Sequence, residues 1–283
     1  MLDEVESGIK RKIESIGLPL KNWDVHINYG IKTGFNDAFI ITGQQRTELL
    51  KKCPKSDEII RPIFKGRHIR KYSADEADFI ILIPCGWTNA NRNNCEAETC
   101  FKETYPAIYD HFIEKSKIAT KGNGLFNRTD QGDYWWELRP CAYLHEFEKS
   151  KIVWMELSDI PKFLYDDDKK YAETTTFIMT GNHLKYLTAF LNSKLCEWYF
   201  DKITTTSGVG TNRWKKIYIE NFPIPEISEQ AEKNVNRIID NILVDLKSKK
   251  NINNLDLKIN ELVLDLYDFN NEEKELILTF GNQ

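Results

Sequence analysis

Hydrophobic positions near the start of the chain fall at Leu2, Val5, Ile9, Ile13 and Ile16, steps of three and four that lay one apolar stripe along an α-helix. Gly17-Leu18-Pro19-Leu20 ends that helix. The period then shortens to two. Val25-His26-Ile27-Asn28-Tyr29 alternates, and residues 38–42, 79–83, 151–154 and 174–178 are β-branched or apolar runs bounded by turn residues, so strands are expected there. Helical spacing returns over 94–118, and again where Leu184, Leu187, Phe190, Leu191, Leu195 and Trp198 form a stripe opened by Asn182. Asn221-Phe222-Pro223-Ile224-Pro225 interrupts regular pairing with two prolines in three positions. Beyond it, Val235, Ile238, Ile239, Ile242 and Leu246 make one helical stripe; Leu255, Ile259, Leu262, Val263, Leu266 and Phe269 make a second; Asn270 caps a short last helix. The pattern predicts a mixed α+β chain: an N-terminal helix and linker over 1–22, a strand-rich domain with inserted helices over 23–225, and a C-terminal helical segment over 226–283. No period of 20 to 50 residues repeats, which argues against a solenoid.

Composition narrows the class. With 41% hydrophobic and 29% charged residues in 283, the balance is that of a globular chain. The longest apolar run, Phe79 to Pro84 with Cys85, is far short of the roughly 20 residues a membrane helix needs, and the acidic start has no secretory stretch, so cytoplasmic residence is expected. Six cysteines include no Cys-x-x-Cys, and reduced, mostly buried thiols are expected. The net charge of −4 argues against a generally sticky nucleic-acid binder. The average hides an asymmetry: twelve acids against seven bases leave the stretch from Glu226 onward at −5, so residues 1–225 carry +1.

Several catalytic motifs are absent or only imitated. Gly30-Ile31-Lys32-Thr33 lacks the second glycine, and the glycine directly before the lysine, that a P-loop needs to surround phosphates. His145-Glu146-Phe147-Glu148 lacks a metalloprotease's second histidine. Asp166-Asp167-Asp168-Lys169-Lys170 suggests a magnesium nuclease on one reading and a solvated hairpin tip on the plainer one, which we favour. Ser207-Gly208-Val209-Gly210 is either a phosphate-contacting nest or a turn.

Three segments do carry binding chemistry. Residues 61–72 hold five fixed positive charges and no acid; residues 202–216 hold Lys202, Arg213, Lys215 and Lys216 with hydroxyls, an amide and glycines; residues 127–139 mix arginine and amides with Tyr134-Trp135-Trp136. Such groups contact phosphate oxygens, and Arg, Lys and Asn also read base edges. A solvated basic face and core tryptophans are the plainer alternatives.

Ordered motifs make the chain recognisable. Gly30 to Ile41, Ile60 to Tyr72, Gly132-Asp133-Tyr134-Trp135-Trp136-Glu137-Leu138-Arg139, Phe147 to Trp154, Tyr186 to Lys194 and Tyr218 to Pro225 resemble, over about residues 20–225, the TaqI-like C-terminal specificity domain of type IIG restriction-modification enzymes and related adenine-specific DNA methyltransferases. Ile259 to Phe269 resembles the C-terminal helices of those enzymes. The resemblance implies a target recognition domain that binds duplex DNA while other domains methylate and cut. The Asn-Pro-Pro-Tyr-type motif, the methyl-donor loop and the nuclease core are missing from the sequence, so no catalysis and no cofactor are expected in this chain. S-adenosylmethionine and magnesium belong to companion methyltransferase and nuclease domains, in the same polypeptide or a partner subunit. On this basis Lys32, Lys65, Arg67, Arg70 and Lys71 are expected on phosphates, and Arg128, Arg139, Thr206, Ser207, Asn212 and Arg213 at or near bases, with Gly34 and Gly66 allowing tight turns. The expectation requires these bases to gather on one concave side, free of carboxylates. The competing class is a protein-interaction module whose helices dock a methyltransferase or a second copy.

Overall fold

The computed structural model describes residues 3–75, 77–117, 124–204 and 212–281. The chain opens with α1 (Glu4–Ile16), β1 (Leu18–Pro19) and β2 (Val25–Tyr29). α2 (Asn36–Phe39) leads into β3 (Ile40–Ile41), and α3 (Gly43–Lys52) precedes β4 (Ile60–Phe64) and β5 (Asp78–Ile81). Next come α4 (Trp87–Asn91), α5 (Ala97–Thr104) and α6 (Pro106–Ser116), then β6 (Lys151–Met155), β7 (Leu157–Ser158), β8 (Phe163–Asp166), β9 (Tyr171–Ala172) and β10 (Thr176–Gly181). α7 (Leu184–Leu191), α8 (Lys194–Ile203), β11 (Asn212–Arg213), α9 (Lys216–Ile219), β12 (Pro223–Ile224), α10 (Glu229–Lys247), α11 (Asn253–Leu264) and α12 (Asn271–Thr279) complete it. The α+β class is as expected, with helix outweighing strand, about 49% against 17%, because most of the strands are short.

Local chemistry explains where elements begin. Asp3 with Glu6, Thr42 with Gln45 and Asn270 with Glu273 form reciprocal caps at α1, α3 and α12. The single helix expected across 184–198 is two, because Ser193 caps a new start, its hydroxyl accepting from the Cys196 N–H at 3.2 Å. Pro106 likewise begins α6, where a missing N–H costs nothing. The strand expected over 38–42 shrinks to Ile40–Ile41, since Asn36–Phe39 closes a helical turn first.

The central sheet runs β2-β10-β6-β8, antiparallel throughout, and a second sheet runs β3-β5-β4-β9. Alternate residues of the central strands feed two cores. Ile152, Trp154, Phe163, Phe177 and Met179 face one; Val153, Leu164 and Ile178 face the other. Burial on both faces is why these strands read as near-continuous apolar runs. The first core takes the stripes of α1, α7, α8 and the last three helices, with Ile9, Ile13, Ile238, Ile259 and Ile277 all buried in it. The second core lies beneath the second sheet and α5 and α6. The beginning and end of the chain therefore share one core with α7 and α8.

The acidic run is corrected in part. β8 pairs with β6 and β9 with β4, so residues 167–170 cross from one sheet to the other and are not a hairpin tip. Asp167 and Asp168 are exposed. Asp166 is buried and accepts from the Lys151 ammonium at 2.6 Å, while Lys151 also donates to the Phe147 carbonyl at 2.9 Å. Burial lowers the Lys151 pKa and the Asp166 charge opposes that shift. A magnesium site across this run would have to displace that ammonium from Asp166. The cysteines are unpaired, and only Cys196 is fully buried, the other five being half-buried rather than mostly buried as expected. No helix among the described residues is long and apolar enough to cross a membrane.

Candidate nucleic-acid interface

Antiparallel pairing brings several loops to one end of the central sheet. Tyr29 at the end of β2 lies opposite Phe177, and Met155 at the end of β6 lies opposite Thr176 at the start of β10. The Glu156 N–H donates to the Thr175 carbonyl at 3.0 Å and the Trp214 N–H to the Glu156 carbonyl at 2.7 Å, which docks β11 beside β7 at this end. Gly66 closes on the same place: a Cβ there would fall 2.6 Å from the Thr175 hydroxyl, so the turn carrying Arg67 needs glycine. The backbones of Lys32, Arg67, Arg213 and Lys215 thus converge although they are distant in sequence.

The loop over 125–139 is organised from within by Arg128. This buried guanidinium donates to the carbonyls of Thr33 (2.9 Å), Asp130 (3.2 Å), Leu125 (3.0 Å), Trp135 and Glu137, and lies 4.6 Å from the Phe39 ring centroid. Burial lowers its pKa to about 10, opposed by Asp130. The expectation that Arg128 reaches a base is therefore corrected; its donors are spent on the backbone. Glu137 is fully buried and accepts from the N–H groups of Gly86 (3.1 Å), Thr88 (2.8 Å) and Asp133 (2.9 Å). Trp136 is a core residue, stacked on Phe101 at 5.2 Å with its indole N–H on Thr88. Gly34, at φ +70°, turns so tightly that a Cβ would approach Asp130 to 2.9 Å.

On this scaffold Asp130 holds two cations. Its Oδ2 lies 2.9 Å from the Lys32 ammonium and its Oδ1 accepts from Arg139 Nη1 at 3.1 Å. Both cations line a cleft of about 760 Å³ whose apolar walls include Tyr29, Ile31, Leu138 and Tyr143. Arg67 and Arg213 are exposed and form no ion pair with a described residue. Lys215 is 3.6 Å from Glu156. Of the other cations of the basic run, Lys65 is tied to Asp78 at 2.6 Å, Arg70 to Asp75, and Lys71 to Asp256 on α11 at 2.7 Å, where the Tyr72 hydroxyl shares the carboxylate, while Arg61 donates to the carbonyls of Asp57 (3.2 Å) and Ile60 (2.9 Å). The expected carboxylate-free basic face is thus corrected to mostly paired cations beside the exposed Arg67 and Arg213, which have no ion pair among the described residues. Thr206 and Ser207 lie outside the described residues, as does the side chain of Asn212.

One cluster has metal-ligand character. Ligand atoms of Cys85, Asp133 and Glu137 lie within 4.8 Å of one another. Glu137 already accepts three backbone N–H groups, Asp133 accepts from Asn89 at 2.9 Å, and burial together with Asp133 pushes the Cys85 thiol pKa up. These donors serve the loop before α4 better than a cation.

The family model for the TaqI-like C-terminal specificity domain matches residues 61–224, more than half of the chain. The chain belongs to this family. Type II methyltransferase M.MjaIV of Methanocaldococcus jannaschii is 22% identical over 267 residues, covering 90% of this chain and 83% of that protein. Two solved structures share the fold. The type IIL restriction-modification enzyme MmeI, in complex with DNA, superposes with a TM-score of 0.62 at 12% identity, and the type IIG restriction endonuclease BpuSI with 0.54 at 17%. Each likeness covers 93% of this chain but only 35% and 32% of those chains, about a third of their length.

Within this TaqI-like specificity domain, sequence reasoning selected Lys32, Arg139, Arg67 and Arg213, which the fold brings to the loops around the sheet end and the cleft. It passed over Asp130, which joins Lys32 to Arg139, and Tyr29, which stands exposed at the cleft. The available signal for Asp130 was its place between two arginines in a stretch already singled out.

Proposed function

We propose that this specificity domain recognises a duplex DNA sequence for a restriction-modification system. Methylation and cleavage then fall to companion domains, in the same polypeptide or a partner subunit, that bind S-adenosylmethionine and magnesium. The family match over residues 61–224 carries the reading, because it spans the loops that bear Arg67, Arg139 and Arg213. Lys32, Arg67 and Lys215 set position on phosphates, and Arg139, expected from the sequence near bases, joins them because it shares Asp130 with Lys32; Arg213, with Asn212, Thr206 and Ser207, reads bases. Lys65, Arg70 and Lys71 reach phosphate only by surrendering their carboxylates. The protein-docking alternative is weakened by packing, since α1 and the last helices already spend their stripes on the first core.

The test is selection of duplexes from a randomised pool, followed by fluorescence anisotropy between about 50 and 200 mM salt. Four phosphate contacts give a slope of log K against log salt near −3.6, at about −0.9 per contact. An unenriched pool, or salt-independent binding, overturns the proposal. Methyl transfer or plasmid cleavage by the purified chain with S-adenosylmethionine and magnesium overturns the assignment of catalysis to companions.

A further inference from the structure

The carboxylate of Asp130 is unlike the others around the cleft. It presents one oxygen to each of two long cations, Lys32 at 2.9 Å and Arg139 at 3.1 Å, and is itself only 13% exposed while they are 51% and 52% exposed. Its own position is fixed: Arg128 holds its carbonyl, and its Cβ abuts Gly34. The cations are the movable partners. Asp133, three residues on, also carries an exposed carboxylate but meets Asn89 and Cys85 and, among the described residues, no cation. Two acceptor oxygens bridging a lysine and an arginine reproduce what a phosphodiester offers, and the trio keeps a net charge of +1 that favours an incoming anion.

We propose that Asp130 is a built-in phosphate mimic: it occupies the Lys32–Arg139 site in the free domain, and a DNA phosphate displaces it on binding. This deepens the DNA-binding reading and rests on it. Every duplex must then break the same two half-exposed pairs, so Asp130 lowers affinity for cognate and unrelated DNA alike and leaves the discrimination between them unchanged. Asp130→Asn keeps the shape and removes the charge. It is expected to tighten binding of both kinds of duplex by about 2- to 25-fold, the worth of two exposed ion pairs. In a Lys32→Gln/Arg139→Gln background the same substitution is expected to change nothing, and Asp133→Asn in the native background is expected to fall short of the gain. Persistence of the gain without the two cations would show mere long-range repulsion and overturn the proposal. So would weaker binding by a variant whose circular dichroism and melting are unchanged. Pyrophosphate, followed by calorimetry, separates the two ideas. If Asp130→Asn binds pyrophosphate more tightly than the native chain while no duplex binds either, the mimic stands and the DNA reading falls; no gain for pyrophosphate or duplex sinks the mimic itself.

Discussion

The interior and the sheet end of this molecule use the same residue types to opposite ends. Inside, Arg128 spends its guanidinium on backbone carbonyls, and Lys151 meets Asp166 with neither side chain more than 3% exposed. At the sheet end and its cleft, Lys32 and Arg139 hold a carboxylate loosely enough to remain half-exposed, and Arg67 and Arg213 hold none among the described residues. A buried charge without its partner is costly, so the interior pairs cannot be lent to a ligand. Exposed pairs are worth little and can be exchanged for phosphate. Burial therefore decides which cation is scaffold and which is interface.

Removing an interior partner should have the largest effect. Lys151→Ala removes the buried partner of Asp166 and leaves its carboxylate to the Lys170 N–H at 3.0 Å and the Lys170 ammonium at 3.7 Å; it is expected to cost about 3 kcal/mol in urea unfolding, whereas replacing both partners by apolar residues should cost much less. A loss below about 1 kcal/mol would mean that water already reaches the pair. Arg128→Met follows. It frees the carbonyls of Thr33, Leu125 and Glu137 at once and is expected to cost about 3 kcal/mol. Residues 130–139 should then lose hydrogen-exchange protection. Were Arg128 a base reader, stability would hold and only cognate binding would fall.

The contrast between scaffold and interface was legible in the sequence only in part. Period alone located α1, β2 and the last helices, because their stripes are regular, and an unbroken apolar run located β6. Gly34 and Gly66 were legible as tight turns. The partners were not: Lys71 meets Asp256 and Lys65 meets Asp78, so carboxylates that folding brings in offset part of the charge excess of residues 61–72, and Lys32 outside that run meets Asp130. Arg128 and Arg139 stand in one loop with similar neighbours, yet only the fold tells which is enclosed. For Asp166, the crossover between two sheets buried a residue that its charged neighbours made look solvated.

Two smaller effects sharpen the comparison within the interface itself. Arg213→Ala is expected to cost about 1–3 kcal/mol on the selected duplex and little on a scrambled one, as loss of a base contact should. Equal losses on both would move Arg213 to the phosphate set. Arg67 sits on the turn that Gly66 folds against Thr175, exposed and with no ion pair among the described residues. Arg67→Ala is therefore expected to weaken every duplex alike and to flatten the salt slope by about one unit without altering discrimination. Lys65→Ala, whose cation is held by Asp78, should flatten it less. If the two substitutions flatten the slope equally, the Lys65 ion pair opens on DNA and the distinction between free and committed cations at this surface fails.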